Sequence, residues 1–240
     1  MIQGVSFDAA GTLLVNRYQP GRFARSCADA CGIVTTVDDE VPYLRLYRSR
    51  VAEFWRVNQT RNLSKVDEFW FQLTSDWLEE IGEDPGLARA VMAEGARQMY
   101  ETDAWFMLYP DVWPALDHLV SQSIPSYVLS NWDMSLHRVL AANGLGSSFT
   151  AVVASLEEGV EKPDTAIFGI LSQRAKQQPG VILHIGDSWK DDVEGALQAG
   201  FHAGFVDRTV NCDPIVEYMG DQLLVRGSSL NTILEAALSA

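Results

Sequence analysis

Short apolar runs alternate with helical patterns along the second half of the chain. Each run is bounded by polar or glycine-containing turns, which predicts strands, and the longer segments between them predict helices. Strands that are apolar on both faces are typical of a parallel sheet covered by helices. The predicted strands are residues 126–129, 151–154, 181–185, 203–206 and 222–225, and the predicted helices are residues 110–119, 134–143, 163–176, 191–199 and 229–238.

The first half of the chain has a different pattern. A short apolar strand at residues 5–7 is followed, after Leu14, by long stretches in which apolar side chains recur with helical spacing. The clearest of these stretches are residues 41–55, 66–81 and 87–100. We therefore predict an α/β fold with a core domain of residues 1–15 and 104–240. A helical domain, residues 16–103, is inserted after the first strand.

Composition excludes several classes of protein. The net charge of −14 disfavours non-specific binding to nucleic acid or to anionic membranes. No apolar run approaches the roughly 20 residues that span a bilayer, and the N-terminus lacks a signal-peptide pattern. We expect a cytoplasmic protein without nucleic-acid or membrane partners, and we leave its oligomeric state open. The cysteines, Cys27, Cys31 and Cys212, are too few for a disulfide framework or a zinc site and are interpreted as buried or half-buried thiols.

Four loops at predicted strand ends carry polar residues suited to one site. The carboxyl ends of parallel strands lie along one edge of a sheet, so loops that follow them are expected to meet there. The loops are residues 8–12, 130–131, 161–163 and 186–192, and their candidate groups are Asp8, Thr12, Ser130, Asn131, Lys162, Asp187, Asp191 and Asp192.

This combination of groups suits phosphoryl transfer, which depends mainly on positioning and on charge stabilisation. Asp8 could attack phosphorus and form an aspartyl-phosphate, which divides one difficult step into two. Two anions approach only if their repulsion is screened, and a carboxylate-bound Mg²⁺ together with Lys162 would do this. Ser130 and backbone N–H groups of the first loop would supply hydrogen bonds.

The order and spacing of the four loops resemble the motifs of the haloacid-dehalogenase-like (HAD) superfamily. The resemblance implies a Rossmann-like core, a helical cap of the C1 type and a small phosphorylated substrate. The start of the chain is also similar to the group around the haloacid-dehalogenase-like domain-containing 3 protein. The resemblance assigns the nucleophile to Asp8, phosphate binding to Thr12, Ser130, Asn131 and Lys162, and Mg²⁺ to Asp8, the Ala10 carbonyl and Asp187. In it, Asp192 has a supporting role, and Asp191 either acts through a metal-bound water or orients Lys162.

Position 10 departs from the superfamily's phosphatase pattern. Phosphatases of the superfamily have a second Asp there, whose carboxyl protonates the leaving oxygen and then activates water, whereas this chain has Ala10. Three interpretations follow. The first is a Mg²⁺-dependent phosphatase or phosphotransferase of reduced or specialised activity. The second is a phosphonoacetaldehyde-hydrolase-like cleavage of a carbon–phosphorus bond, with Lys65 as the Schiff-base lysine. The third is a non-enzymatic binding protein. Haloacid dehalogenases also lack the second Asp, but they need no metal, so the acidic fourth loop argues against them.

Overall fold

The computed structural model describes residues 1–210 and 213–240, so the interpretation of Cys212 lies outside the described residues. The chain divides into two units. One unit, the core, comprises Met1–Val15 and Leu108–Ala240, and the other, the helical unit, comprises Asn16–Met107. The end of the helical unit, Met107, lies within a short strand that the sequence pattern did not indicate.

The described part of the core contains a seven-stranded sheet in the order β5-β4-β1-β6-β7-β9-β8. Its strands are β1 Gly4–Phe7, β4 Ser126–Ser130, β5 Ala151–Ala154, β6 Ile182–Gly186, β7 His202–Val206, β8 Ile215–Met219 and β9 Gln222–Gly227. Neighbouring strands are parallel from β5 to β9, and β8 runs antiparallel to β9 at the edge. Two further short strands, β2 Leu14–Asn16 and β3 Phe106–Leu108, pair in a sheet of their own.

The register of the central strands brings three loops together. Phe7 at the end of β1 pairs with Val128 on one side and with Ile185 on the other. The loops that begin at Asp8, after Ser130 and after Gly186 therefore leave the same edge of the sheet. All residues of β1, β4 and β6 are buried, as expected for parallel strands covered on both faces.

Helices cover this sheet as the alternating pattern predicts, and they are α6 Val112–Ser121, α7 Ser135–Ala142, α8 Ser155–Glu158, α9 Thr165–Ala175, α10 Gly195–Gln198 and α11 Leu230–Ser239. The α9 helix starts where the Asp164 carboxylate accepts a hydrogen bond from the Ala166 N–H, an ordinary N-cap. The helix predicted from residue 191 differs from a regular α-helix. Its first part, Trp189–Glu194, is π-helical and leads into α10. Wide turns of this kind are frequent at functional sites.

The helical unit consists mainly of α1 Pro20–Ala30, α2 Glu40–Ser49, α3 Val51–Gln59, α4 Leu63–Glu80 and α5 Ala88–Tyr100. The amphipathic stretch at 41–55 forms two helices because the backbone leaves helical geometry at Arg50. Apolar side chains spaced along α4 are buried in this unit, among them Phe69, Leu73 and Trp77. Within the described residues, no helix has both the length and the apolar composition that crossing a bilayer requires.

Candidate functional site

Asp8 lies directly after β1, and its carboxylate is buried between two donors. The Ser130 hydroxyl, at the end of β4, donates to Asp8 Oδ1 over 2.9 Å. The Lys162 ammonium donates to the same oxygen over 2.7 Å. The other oxygen, Oδ2, has no hydrogen-bond partner among the described residues. One oxygen is thus fixed in place and the other remains open for chemistry.

Lys162 is anchored through its backbone as well as its side chain. Its N–H donates to Asn131 Oδ1 over 2.8 Å, and its carbonyl accepts from Asn131 Nδ2 over 2.9 Å. Its Nζ donates to the Leu129 carbonyl over 3.0 Å. Asn131 therefore uses its amide to position the lysine loop, a contact that its predicted role in phosphate binding did not include.

A buried chain of hydrogen bonds holds the far side of the lysine. Lys162 Nζ contacts Asp192 Oδ1 at 2.5 Å, and His184 Nε2 lies 3.1 Å from the same oxygen. Because an ionised carboxylate only accepts hydrogen bonds, Nε2 carries the imidazole proton and Nδ1 accepts from the Ser6 hydroxyl over 2.8 Å. The sequence analysis did not identify Ser6 or His184. Their only sequence signal is a polar residue inside each of two apolar strands.

The three aspartates of the fourth loop occupy different positions in the site. Asp192, rather than Asp191, contacts Lys162, and its Oδ2 accepts the Ser188 N–H over 2.9 Å. Asp191 instead accepts a hydrogen bond from the Ser188 hydroxyl over 3.1 Å. Asp187 follows β6 and is exposed at the edge of the sheet. Within the described part of the chain its carboxylate has no donor side chain bound to it.

Three of these carboxylates form a cluster that fits a hard cation. One oxygen each from Asp8, Asp187 and Asp192 lies within 4.8 Å of the others. Carboxylate oxygens are the ligands that Mg²⁺ prefers, and it retains several waters when few protein ligands are present. The oxygens of Asp192 are engaged by Lys162, His184 and Ser188, whereas Asp8 Oδ2 and the Asp187 carboxylate are open. The residues present therefore fit a divalent cation held mainly by Asp8 and Asp187.

The charges of the cluster also favour a cation. Three carboxylates face one ammonium, which leaves two formal negative charges. Burial, together with the charges of Asp192 and Asp187, raises the pKa of Asp8 in spite of Lys162. Desolvation and the Asp192 charge raise the pKa of Asp187. Burial opposes ionisation of Asp192, but Lys162 and His184 hold its pKa below the usual value. A divalent cation would relieve the repulsion that these shifts express.

The turn after Asp8 is shaped for close approach. Gly11 has a φ of +81°, and a Cβ there would collide with the Asp187 carboxylate. The Thr12 hydroxyl is fully buried and has no hydrogen-bond partner among the described residues. A buried hydroxyl without a partner is uncommon among the polar groups of folded proteins.

Arg208 fixes this turn from the other side. It lies after β7 and binds both carboxylate oxygens of Asp111, at 3.0 and 3.1 Å. Its Nη2 donates to the Thr12 carbonyl over 2.6 Å, and its Nε donates to the Gly11 carbonyl over 3.3 Å. The sequence analysis missed this arginine, because nothing local in the sequence connects position 208 with the turn at 11–12.

Comparison with known proteins identifies the family. Residues 2–200 match the haloacid dehalogenase-like hydrolases. This chain is a HAD hydrolase. The match confirms the family and the enzyme class that the four loops predict, and the observed sheet and helices confirm the α/β fold.

Relatives of this HAD hydrolase include named phosphatases. The haloacid dehalogenase-like hydrolase domain-containing protein 3 of Mus musculus is 26% identical over 84% of this chain and 80% of its own length. A glyceraldehyde 3-phosphate phosphatase of Methanopyrus kandleri is 28% identical over 83% of this chain and 82% of its own length. The crystal structure of a 2-haloacid dehalogenase from Pseudomonas syringae has a TM-score of 0.71 at 22% identity and covers both chains completely, which shows the shared fold.

Position 10 of this HAD hydrolase carries no acid. Ala10 is half-buried in the turn between Asp8 and Thr12, and its side chain can neither donate nor accept a proton. Its carbonyl takes no part in the backbone hydrogen bonds that shape the turn, which use Gly11, Leu13 and Leu14. The turn thus presents a free carbonyl beside Asp8 but no second carboxyl group.

Proposed function

We propose that this HAD hydrolase is a Mg²⁺-dependent phosphatase that acts on a small phosphorylated metabolite through an aspartyl-phosphate on Asp8. The observation that carries the proposal is the Asp8 carboxylate, whose Oδ1 is fixed by Ser130 and Lys162 and which clusters with the carboxylates of Asp187 and Asp192. A nucleophile held in this way needs little further ordering before it reacts.

Each residue of the site has its own role in the proposed reaction. The Asp8 carboxylate attacks phosphorus, and the bond from phosphorus to the substrate oxygen breaks. The Lys162 ammonium and the Ser130 hydroxyl then stabilise negative charge on the phosphoryl oxygens. Thr12 lies at the end of the turn that follows Asp8 and would help to position the turn that binds the same group. Water subsequently attacks the phosphorus of the aspartyl-phosphate, which releases phosphate and restores the Asp8 carboxylate.

The cation would be held by Asp8, Asp187 and the Ala10 carbonyl. When bound, Mg²⁺ supplies charge neutralisation that lets a phosphate dianion approach the carboxylate. Asp192 remains committed to Lys162 and His184, so its role is to keep the lysine pointed at Asp8. Asp191, which accepts a hydrogen bond from the Ser188 hydroxyl, would support the cation indirectly.

Ala10 determines which leaving groups of phosphate substrates are expected to react well. Because no carboxyl group at position 10 protonates the leaving oxygen, the leaving group takes its proton from water. General acid–base catalysis contributes about 10²–10⁴-fold, so esters of poor leaving groups are expected to react slowly. Acyl and aryl phosphates, whose leaving groups need no protonation, are expected to react best.

A comparison of phosphate esters tests the proposal. We expect hydrolysis of p-nitrophenyl phosphate and acetyl phosphate that requires Mg²⁺ and is abolished in Asp8→Asn. The matched control, Asp221→Asn, makes the same charge change in the turn between β8 and β9 and should hydrolyse both substrates at the wild-type rate. Phosphate release that persists in Asp8→Asn, or that is unchanged by chelation of the metal, would contradict the proposal.

Carbon–phosphorus cleavage is the second candidate, since Ala10 also fits a reaction without an acid at that position. It requires a Schiff-base lysine, and such lysines are generally desolvated. Lys65, in the first turn of α4, is exposed to water. Borohydride treatment with phosphonoacetaldehyde should leave Lys65 unmodified. A reduced adduct on Lys65, found by peptide mapping, would instead establish the second candidate. Failure of all phosphate esters together with tight binding of a phosphate analogue would indicate a binding protein.

A further inference from the structure

The helical unit contains a solvent-open cavity of about 590 Å³ that is lined by three arginines, of which Arg17 and Arg22 are exposed. The lining arginines are Arg17, Arg22 and Arg25, and the lining also includes Ser26 and Trp105. Its volume lies within the range of about 300–1,000 Å³ that is usual for small-molecule sites. Every lining residue belongs to the helical unit, so the cavity is a feature of that unit alone.

The charge of this cavity is opposite to that of the whole chain. Between Ala9 and Ala28 the sequence has these three arginines and no acid, in a protein of net charge −14. Within the described residues, Arg17 and Arg22 have no carboxylate partner. Arg25 lies 3.2 Å from Glu40. Asp29, the one acid of the lining, accepts the Thr35 N–H and hydroxyl. The cavity therefore keeps an excess of positive charge.

A hydrogen-bond network fixes two residues of the lining, Trp105 and Ser26. The Trp105 indole N–H donates to Gln98 Oε1 over 3.1 Å, and the Ser26 hydroxyl donates to the same oxygen over 3.0 Å. Gln98 Nε2 in turn donates to Glu94 over 2.9 Å. The Arg17 N–H donates to the Trp105 carbonyl over 3.0 Å, which ties the two ends of the helical unit together at the cavity. Because these lining side chains are already ordered, less conformational entropy is lost when a ligand binds.

Four of the lining residues lie on one face of the α1 helix. Arg22, Arg25, Ser26 and Asp29 stand on one face of α1, at intervals of three and four residues. Guanidinium groups are planar forks that bind carboxylate or phosphate oxygens through paired hydrogen bonds. The α1 helix also begins without a side-chain cap at Gln19, so its first N–H groups add positive potential beside Arg22.

We propose that this cavity binds a small metabolite through a phosphate or carboxylate group, with Arg17 and Arg22 as the principal contacts. Arg25, already oriented by Glu40, supplies a third cation. The proposal stands on the geometry of the helical unit and does not depend on turnover at Asp8.

Calorimetric titration of metal-free Asp8→Asn tests the proposal without interference from catalysis. We expect saturable binding of inorganic pyrophosphate or of citrate, and the tighter of the two identifies phosphate or carboxylate as the preferred group. Replacing Arg17 and Arg22 by Gln in the same background should weaken that binding by about tenfold or more, because each lost charged hydrogen bond is worth about a factor of ten. The matched control, Arg56→Gln, removes an exposed arginine of α3 outside the cavity and should leave binding unchanged.

A chemical footprint gives residue-level evidence on the same protein. Phenylglyoxal modifies accessible arginines, and peptide mapping should show that the bound anion protects Arg17 and Arg22 but not Arg56. The proposal is overturned if neither anion binds at millimolar concentration, if binding survives the double substitution with the same affinity, or if protection falls only outside the cavity. Because the footprint needs no arginine substitution, it remains decisive even if the double variant folds poorly.

Discussion

Ala10 is the residue whose replacement should change the reaction most. The turn carries the Asp8 carboxylate, and Ala10 supplies no proton donor beside it. We predict that Ala10→Asp raises kcat for an alkyl phosphate by about 10²-fold, the lower end of the range for general acid–base catalysis. The effect on p-nitrophenyl phosphate should be much smaller, because its leaving group needs no proton. Steady-state kinetics with both substrates measures the difference.

The control for this prediction is Ala10→Asn, which has nearly the same shape as the Asp variant but no acid. It should leave kcat for the alkyl phosphate at the wild-type level. An equal gain in the Asn variant would mean that position 10 acts through packing of the turn rather than through proton transfer.

His184 is linked to Lys162 through Asp192. It binds Asp192 and Ser6, and Asp192 binds Lys162, so His184 acts through its neighbours as a positioning residue. We predict that His184→Leu lowers kcat by about tenfold with little change in KM, because a released Asp192 no longer fixes Lys162. Loss of a buried hydrogen bond should also destabilise the protein by about 1–3 kcal/mol.

Rescue by a conservative variant separates positioning from simple packing. His184→Gln keeps a donor for Asp192 and an acceptor for Ser6, and it should restore most of kcat. Urea unfolding of both variants gives the stability change. If Gln and Leu lower kcat equally, the hydrogen-bond chain has no role in the reaction.

At the scale of elements, the strands that hold the site could be predicted because both of their faces are buried. The apolar runs at 126–129, 181–185 and 203–206 coincide closely with β4, β6 and β7, and the positions of Asp8 and Ser130 at strand ends follow from them. The edge strand β8 was missed because all of its residues are exposed, so it lacks the apolar pattern. Buried partners such as His184 and Arg208 depend on which strands pair, which local sequence does not encode.

His202, at the start of β7, makes the pairing of two strands sensitive to pH. Its Nδ1 accepts the Leu223 N–H over 2.9 Å, at the point where β9 joins β7. Burial and the positive N-terminus lower the pKa of His202 below its value in an unfolded chain. As the pH falls through the unfolded value of about 6.5, the unfolded chain gains a proton that the folded chain resists. Folding stability supplied by neutral His202 is therefore present above that pH and is lost below it.

We predict that His202→Asn makes the protein less sensitive to acid. The Asn side-chain oxygen can replace Nδ1 as the acceptor for Leu223, and it does not titrate. Urea unfolding between about pH 7.5 and pH 5.5 should show a smaller loss of free energy in the variant than in the wild type. Half-buried His118, in α6, provides the matched control, and His118→Asn should keep the wild-type slope. A variant with the wild-type pH dependence would show that His202 does not contribute.

For the whole molecule, we expect a bound cation to contribute to folding stability, because the chain has an excess of negative charge. The chain carries a net charge of −14, and three carboxylates meet at Asp8, Asp187 and Asp192 with one lysine between them. A cation that binds only the folded state stabilises it by mass action. At ten to a hundred times its dissociation constant, Mg²⁺ should raise the thermal unfolding midpoint by about 3–10 °C for a chain of this size.

Removing one carboxylate should have two opposite effects on that midpoint. Asp187→Asn relieves repulsion among the acids, so we predict a slightly higher midpoint than wild type without metal and little further gain with Mg²⁺. The Asp221→Asn variant makes the same change in net charge far along the chain from the cluster and should keep the full response. Scans at matched ionic strength in NaCl separate specific binding from general screening, which acts on all surface acids alike. If Asp187→Asn and Asp221→Asn respond to Mg²⁺ equally, the cation acts on the overall charge of the molecule and not at the site beside Asp8.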